Sequence, residues 1–126
     1  MPGRVATHMS VEVVAASPTN SIQKIYALIM ESGFTAFPVV KKKRLVGIIS
    51  RRDLISSRGV RSTLAGHAQK MVEDLMTQPV ITIAPDEPVS VAAKLLVQYD
   101  VSRLPVLDGD TLVGIVDRHD VLSGLP

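Results

Sequence analysis

Leu45-Val46-Gly47-Ile48-Ile49-Ser50-Arg51-Arg52-Asp53 returns sixty-seven residues later as Leu112-Val113-Gly114-Ile115-Val116-Asp117-Arg118-His119-Asp120. The register extends outward without a gap. Residues 5–55 lie on residues 72–122 and keep Met9/Met76, Val13/Val80, Pro18/Pro85, Leu28/Leu95, Pro38/Pro105 and Val39/Val106. Chance does not hold a register over about fifty positions, so one folding unit is used twice. A site built by that unit is expected in two copies wherever both copies keep its residues, and the differences between the copies become informative.

Each copy has the same order of elements. Phe37-Pro38-Val39-Val40 and Leu45 to Ile49, like Leu104 to Leu107 and Leu112 to Val116, are paired apolar runs around a turn, the pattern of a β-hairpin. Upstream, Ile22, Ile25, Tyr26, Leu28, Ile29 and Met30 recur at helical spacing between Ser21 and Ser32, and Val89, Ala92, Ala93, Leu95 and Leu96 repeat the pattern. Thr19-Asn20-Ser21 and Asp86-Glu87 stand where a helix cap is needed, and Gly33 where the first helix must stop. Val13 to Ala16 and Val80 to Ile83 read as short first strands ending at Pro18 and Pro85, and a closing helix begins at Ser50 or Asp117.

The predicted fold is therefore α/β (α+β): two β-α-β-β-α repeats packed with pseudo-two-fold symmetry, the crossover helix permitting parallel pairing. Residues 1–58 form repeat 1, 59–69 a linker that becomes helical toward Met76, and 70–126 repeat 2. Met1 to Arg4 are expected to be disordered.

Composition removes several function classes. Of the 126 residues, 46% are hydrophobic but only 3% aromatic, so the core must be aliphatic. No apolar run approaches the roughly 18 residues of a membrane span, and the first ten residues, MPGRVATHMS, hold no apolar segment resembling a signal peptide. The expectation is a soluble, cytoplasmic protein without a membrane partner. The absence of cysteine excludes disulfides, thiolate catalysis and thiolate metal sites. A net charge of +2 does not argue for nucleic acid, and the basic run Lys41-Lys42-Lys43-Arg44 lacks aromatic stacking partners. It reads as a solvated hairpin tip, since the aligned turn is Asp108-Gly109-Asp110-Thr111. There is no nucleophile elbow and no phosphate-binding loop ending in Gly-Lys-Ser/Thr, and His8, His67 and His119 do not repeat. No enzyme, metal site or required cofactor is expected.

Three segments together resemble the cystathionine-β-synthase (CBS) domain: Val72-Glu73-Asp74-Leu75-Met76-Thr77, Ser102-Arg103-Leu104-Pro105-Val106 and Leu112 to Asp120. Val5 to Ser10, Thr35 to Val39 and Leu45 to Asp53 repeat them. The resemblance covers nearly the whole chain. It implies a tandem CBS pair, or Bateman module: a homodimeric sensor that binds AMP, ADP, ATP or S-adenosylmethionine in the cleft between its repeats. By the same resemblance, Gly47-Ile48-Ile49-Ser50-Arg51-Arg52-Asp53 is the ligand motif in full. Asp53 would accept hydrogen bonds from ribose hydroxyls, while Ser50 and the helix start would face a phosphate, with Arg51 or Arg52 adding charge. The same spacing also suits a capping box, in which Ser50 and Asp53 serve only the helix's own amides. The two functions can coexist.

The second copy departs from the family pattern, since Asp117 stands where Ser or Thr is usual. Its charge would repel a phosphate unless Arg118, His119 or a cation compensates, so the Asp53 site is expected to bind phosphorylated adenosine better than the Asp120 site. The resemblance places the base near Ser10, Val13, Ala36, Phe37 and Pro38 in one half, and near Thr77, Val80, Arg103, Leu104 and Pro105 in the other. Core packing is the alternative for Val13, Val80, Phe37 and Leu104. Arg103, a long cation beside an apolar strand, needs a phosphate or a carboxylate. The rival to a regulatory sensor of an unidentified protein partner is a constitutive assembly module, dimerising through helix faces such as Ile22-Tyr26-Ile29, with the motif aspartates acting as caps.

Overall fold

The structure, a computed structural model, describes residues 3–55 and 70–125. The predicted linker 59–69 lies outside the described residues. In chain order the elements are α1 Val5–His8, α2 Ile22–Ser32, β1 Ala36–Lys41, β2 Arg44–Ser50, α3 Arg51–Ile55, α4 Val72–Leu75, α5 Val89–Gln98, β3 Arg103–Asp108, β4 Thr111–Asp117 and α6 Arg118–Gly124. The fold is mixed helix and antiparallel sheet, α+β as predicted. No helix among the described residues is long and apolar enough to cross a membrane.

The chain divides into two compact units that do not follow the sequence repeat. One is Met1–Val13 with Ile81–Pro126, here the C-terminal unit; the other, the central unit, is Val14–Val80. Each hairpin thus receives its first segment from the other repeat. In the C-terminal unit, Val5 N–H donates to the Glu87 carbonyl at 2.9 Å and Ala6 N–H to the Pro85 carbonyl at 2.8 Å. In the central unit, Val72 N–H donates to the Asn20 carbonyl at 2.9 Å and Glu73 N–H to the Pro18 carbonyl at 3.0 Å. The cores follow this exchange: Val5 packs with Ile83, Val89, Leu104, Val106 and Val116, whereas Val72 and Leu75 pack with Ile22, Ile25, Phe37, Val39 and Ile49.

The predicted disorder of the N-terminus is corrected for Gly3 and Arg4. Gly3 N–H donates to the Gly124 carbonyl at 3.2 Å, and the Arg4 guanidinium donates to the Asp86 carbonyl at 2.9 Å.

Helix α2 starts as its sequence predicts. The Ser21 side chain accepts from Lys24 N–H, and Gly33 closes the helix in the left-handed conformation, φ 76°. The equivalent start of α5 differs, because Pro88 occupies the cap without a side-chain bond and the Asp86-Glu87 cap is not formed. Ile22 is buried in the central core and Ile29 packs against it, leaving Tyr26 as the exposed member of the predicted dimerisation face.

The predicted first strands shrink to one parallel bridge each, Ala16 to Val39 and Ile83 to Val106. Prolines on both sides explain this. Ala16 N–H donates to the Pro38 carbonyl at 2.8 Å and the Ala16 carbonyl accepts from Val40 N–H at 2.9 Å. The next rung in one direction would need an N–H on Pro38, and in the other an N–H on Pro18, and neither residue has one. Pro105 and Pro85 stop the ladder around Ile83 in the same way.

The hairpin tips solve one geometric problem with different residues. Lys42 and Lys43 both have positive φ, 50° and 67°, whereas the other turn places Gly109 at φ 62°. Two consecutive positive φ angles define the turn that favours Asn-Gly, and each non-glycine residue there is strained. Lys42→Asn/Lys43→Gly is therefore expected to stabilise the protein by about 1 kcal/mol. An unchanged or lower urea midpoint would refute this.

Candidate functional site

In the central unit, β2 runs into α3 at Ser50, and the junction forms a capping box in full. Asp53 Oδ2 accepts from Ser50 N–H at 2.8 Å and from the Ser50 hydroxyl at 3.1 Å. Asp53 N–H donates back to Ser50 Oγ at 3.3 Å. The capping reading of this motif is thus observed, and it orients the carboxylate. The second oxygen, Oδ1, accepts from the Thr77 hydroxyl at 2.9 Å.

Thr77 reaches Asp53 because residues 76–78 run antiparallel beside β2. Thr77 N–H donates to the Ile48 carbonyl at 2.8 Å, Ile48 N–H donates to the Thr77 carbonyl at 3.2 Å, and the Gln78 side-chain amide donates to the Val46 carbonyl at 2.6 Å. The predicted grouping is corrected here. Thr77 and Val80 belong with Ala36, Phe37, Pro38 and Ser50 to Asp53, not with Arg103 to Pro105. Gln78 and the Thr77–Asp53 contact were not anticipated; the equivalence of Thr77 with Ser10 was their only signal.

In the C-terminal unit, Ser10 takes the corresponding place beside β4. Its N–H donates to the Ile115 carbonyl at 2.8 Å and its carbonyl accepts from Ile115 N–H at 2.9 Å. Ser10 and Val13 therefore join Arg103, Leu104, Pro105 and Asp117 to Asp120. Asp117 replaces Ser50 in the capping box: Asp117 Oδ1 accepts from Asp120 N–H at 2.9 Å, and Asp120 Oδ2 from Asp117 N–H at 3.0 Å.

Register supplies the contrast between the two motifs. Ala36 lies directly across the first hairpin from Ser50, and Arg103 directly across the second from Asp117. Burial lowers the Arg103 pKa, and the negative charges of Asp117 and Asp120 act against that loss. Asp117, across the hairpin, and Asp120 thus supply carboxylate charge that acts on Arg103. Burial also raises the Asp120 carboxyl above its ordinary value; the Asp117 N–H holds it down, the Asp117 charge and side-chain hydrogen bond push it up, and His119 holds it down.

The predicted base-contacting set divides by exposure. Phe37 and Leu104 are fully buried, each in its own unit's core, so their side chains are not available to a ligand. Ala36, Pro38 and Pro105 are buried as well, while Val13 and Val80 are half-buried. Ser50, Asp53, Asp117 and Asp120 are half-buried, and Ser10, Thr77, Arg51, Arg52, Arg118 and His119 are exposed. Each unit thus offers accessible hydroxyl-bearing and carboxylate residues, and the Asp53, Asp117 and Asp120 carboxylates are each held by a backbone N–H. Among the described residues, no cluster of three or more His, Asp or Glu is placed to hold a metal ion.

The family profile described as CBS domain matches residues 4–59 and 72–126. Inosine-5′-monophosphate dehydrogenase of Korarchaeum cryptofilum (strain OPF8) is 32% identical over 111 residues, which is 87% of this chain and 22% of that protein. The chain spans 22%, 59% and 44% of the length of the first three curated relatives. Among solved structures, CBSX2 in complex with AMP matches with TM-score 0.83 and 28% identity, covering 95% of this chain and 93% of that one; CBSX2 is from Arabidopsis thaliana. The CBS domain pair of protein MJ0100, in complex with 5′-methylthioadenosine and S-adenosyl-L-methionine, matches with TM-score 0.82 and 28% identity, covering 98% and 95%.

Proposed function

The chain belongs to the CBS domain family, and from that premise we propose that it is a regulatory module that binds adenosine ligands and is not itself an enzyme. The observation that carries this reading is the Asp53 carboxylate. Its Oδ2 is held by Ser50, and its Oδ1 faces the exposed Thr77 hydroxyl. An anchored carboxylate oxygen already paired with one hydroxyl is suited to accept a ribose hydroxyl in exchange, at little cost in reorganisation. The AMP complex of CBSX2 and the methylthioadenosine and S-adenosylmethionine complex of MJ0100, both at 28% identity, support the same class of ligand. The dehydrogenase matches this chain over 22% of its own length, so most of that enzyme lies outside the shared part, which supports a non-catalytic module. The reading extends to regulation of a protein partner, with the nucleotide acting through its differential affinity for two conformations.

Thermal unfolding with and without millimolar AMP, ADP, ATP and S-adenosylmethionine tests it. A ligand at about 100 times its Kd stabilises by roughly 2.7 kcal/mol, a rise of several degrees in Tm. Asp53→Ala, compared with its own ligand-free melt so that lost capping cancels, is expected to reduce the shift given by AMP. No shift with any of the four ligands in folded, ligand-free protein would refute the proposal.

One observation favours the assembly reading as a second function. Exposed apolar residues recur at repeat-equivalent places: Met30 and Val97, 84% and 82% exposed, and Ile55 and Leu122, 62% and 71% exposed. Such matched residues suit a homodimer interface. Concentration-dependent association that nucleotide leaves unchanged would make assembly the function.

A further inference from the structure

We propose that the residue pair facing across each hairpin sets the charge of the ligand each unit accepts: Ala36–Ser50 admits phosphorylated adenosine beside Asp53, whereas Arg103–Asp117 restricts the Asp120 motif to adenosine ligands without a phosphate. This inference rests on the adenosine-ligand reading above. The two pairs occupy identical register positions, Ala36 opposite Ser50 and Arg103 opposite Asp117, so they are alternative solutions at one place in the fold.

The chemistry of the two solutions is opposite. Ser50 brings a hydroxyl that both donates and accepts, whereas ionised Asp117 only accepts. A phosphate supplies acceptor oxygens and negative charge, so it gains a donor at Ser50 when that hydroxyl turns away from Asp53 Oδ2, which the Ser50 N–H continues to hold, and it meets repulsion at Asp117. Ribose hydroxyls are donors, and two neighbouring carboxylates, Asp117 and Asp120, are well matched to them. Arg118 and His119 take the places of Arg51 and Arg52 in the other motif, so they do not set the two apart, and Arg103 does not reverse the contrast. The residue is 9% exposed, it lies across the hairpin from Asp117, and the charges of Asp117 and Asp120 favour its charged form against burial. Its role is to make two adjacent carboxylates tolerable beside a buried strand, which a neutral Ala at that position would not do. The small Ala36 suffices opposite Ser50 because no second charge needs an answer there.

Titration calorimetry of the full chain with AMP and with 5′-methylthioadenosine tests the assignment. In Asp53→Ala, AMP is expected to bind at least about tenfold more weakly than to the unmodified chain, while 5′-methylthioadenosine still binds the other motif. Adding Asp117→Asn, which keeps an equally good helix cap, is expected to restore AMP binding by about tenfold. Arg103→Ala/Asp117→Ser in the same background should do likewise; if that variant does not fold, the Asp117→Asn result stands alone. AMP binding to Asp53→Ala as tightly as 5′-methylthioadenosine, or no gain with Asp117→Asn, would overturn the inference. Failure of the unmodified chain to bind either ligand would instead overturn the adenosine reading itself.

Discussion

Val5→Asp is expected to unfold the C-terminal unit, although residue 5 belongs in sequence to the first repeat. Val5 has no exposed surface and lies among Ile83, Val89, Ala92, Leu104, Val106, Val116 and Val121. Every one of these neighbours comes from the second repeat. A carboxylate there would have neither solvent nor a cation among its apolar contacts, and a cost of more than about 4 kcal/mol follows, comparable with the whole stability of a marginal domain. Amide hydrogen exchange resolves where the loss falls. Protection should collapse first at Leu104, Val106 and Val116, with Ile25, Val39 and Ile49 retaining more. The mirror substitution Val72→Asp should reverse the order, since Val72 is equally buried but packs with Ile22, Ile25, Phe37 and Val39. If Val5→Asp instead strips protection from Ile25 and Ile49, each repeat folds on its own first segment and the segments are not exchanged.

That exchange is what the sequence could not disclose, and the reason lies in the repeat itself. Val5 matches Val72 and Met9 matches Met76, so either first segment satisfies the apolar pattern of either hairpin. A periodic signal that identifies the unit is for the same reason silent about which copy of a segment completes it. The grouping of Thr77 with Asp53 was hidden with it, because that contact exists only once residues 76–78 lie beside β2. The motif residues fared better. Ser50 with Asp53, and Asp117 with Asp120, stand three apart at the start of a helix, a local relation that spacing alone exposes. The first strands are shorter than Val13-Val14-Ala15-Ala16 and Val80 to Ile83 suggest, although the prolines that restrict them, Pro18, Pro38, Pro85 and Pro105, are all visible in the sequence. Their effect depends on which residues face one another, and register is a tertiary fact. Arg103 falls between these cases: its need for a counter-charge was legible, and the hairpin register then supplies Asp117.

The exchanged segments also explain the glycine in each motif, and they predict unequal consequences for replacing it. A Cβ on Gly114 would stand 2.6 Å from Met9 Sδ and 2.9 Å from the Ser10 carbonyl oxygen. A Cβ on Gly47 would stand 2.5 Å from Met76 Sδ but 3.3 Å from the Thr77 carbonyl oxygen. Methionine is unbranched and can turn its thioether aside. A carbonyl oxygen fixed in a bridge cannot, because the Ser10 carbonyl is already the acceptor for Ile115 N–H at 2.9 Å. Gly114→Ala must therefore push the 9–10 segment off β4 and weaken that hydrogen bond, whereas Gly47→Ala mainly displaces one side chain. Overpacking of this kind costs about 1–3 kcal/mol. Gly114→Ala is expected near the upper end and Gly47→Ala near the lower, read as the difference between their urea midpoints at unchanged m-value. Met9→Ala added to Gly114→Ala should recover little, because the backbone clash remains; Met76→Ala added to Gly47→Ala should recover most of the Gly47→Ala loss beyond the cost of the Met76 truncation itself. Equal losses for the two glycine variants would mean that the methionines, and not the Ser10 carbonyl, set the cost of a side chain at this position.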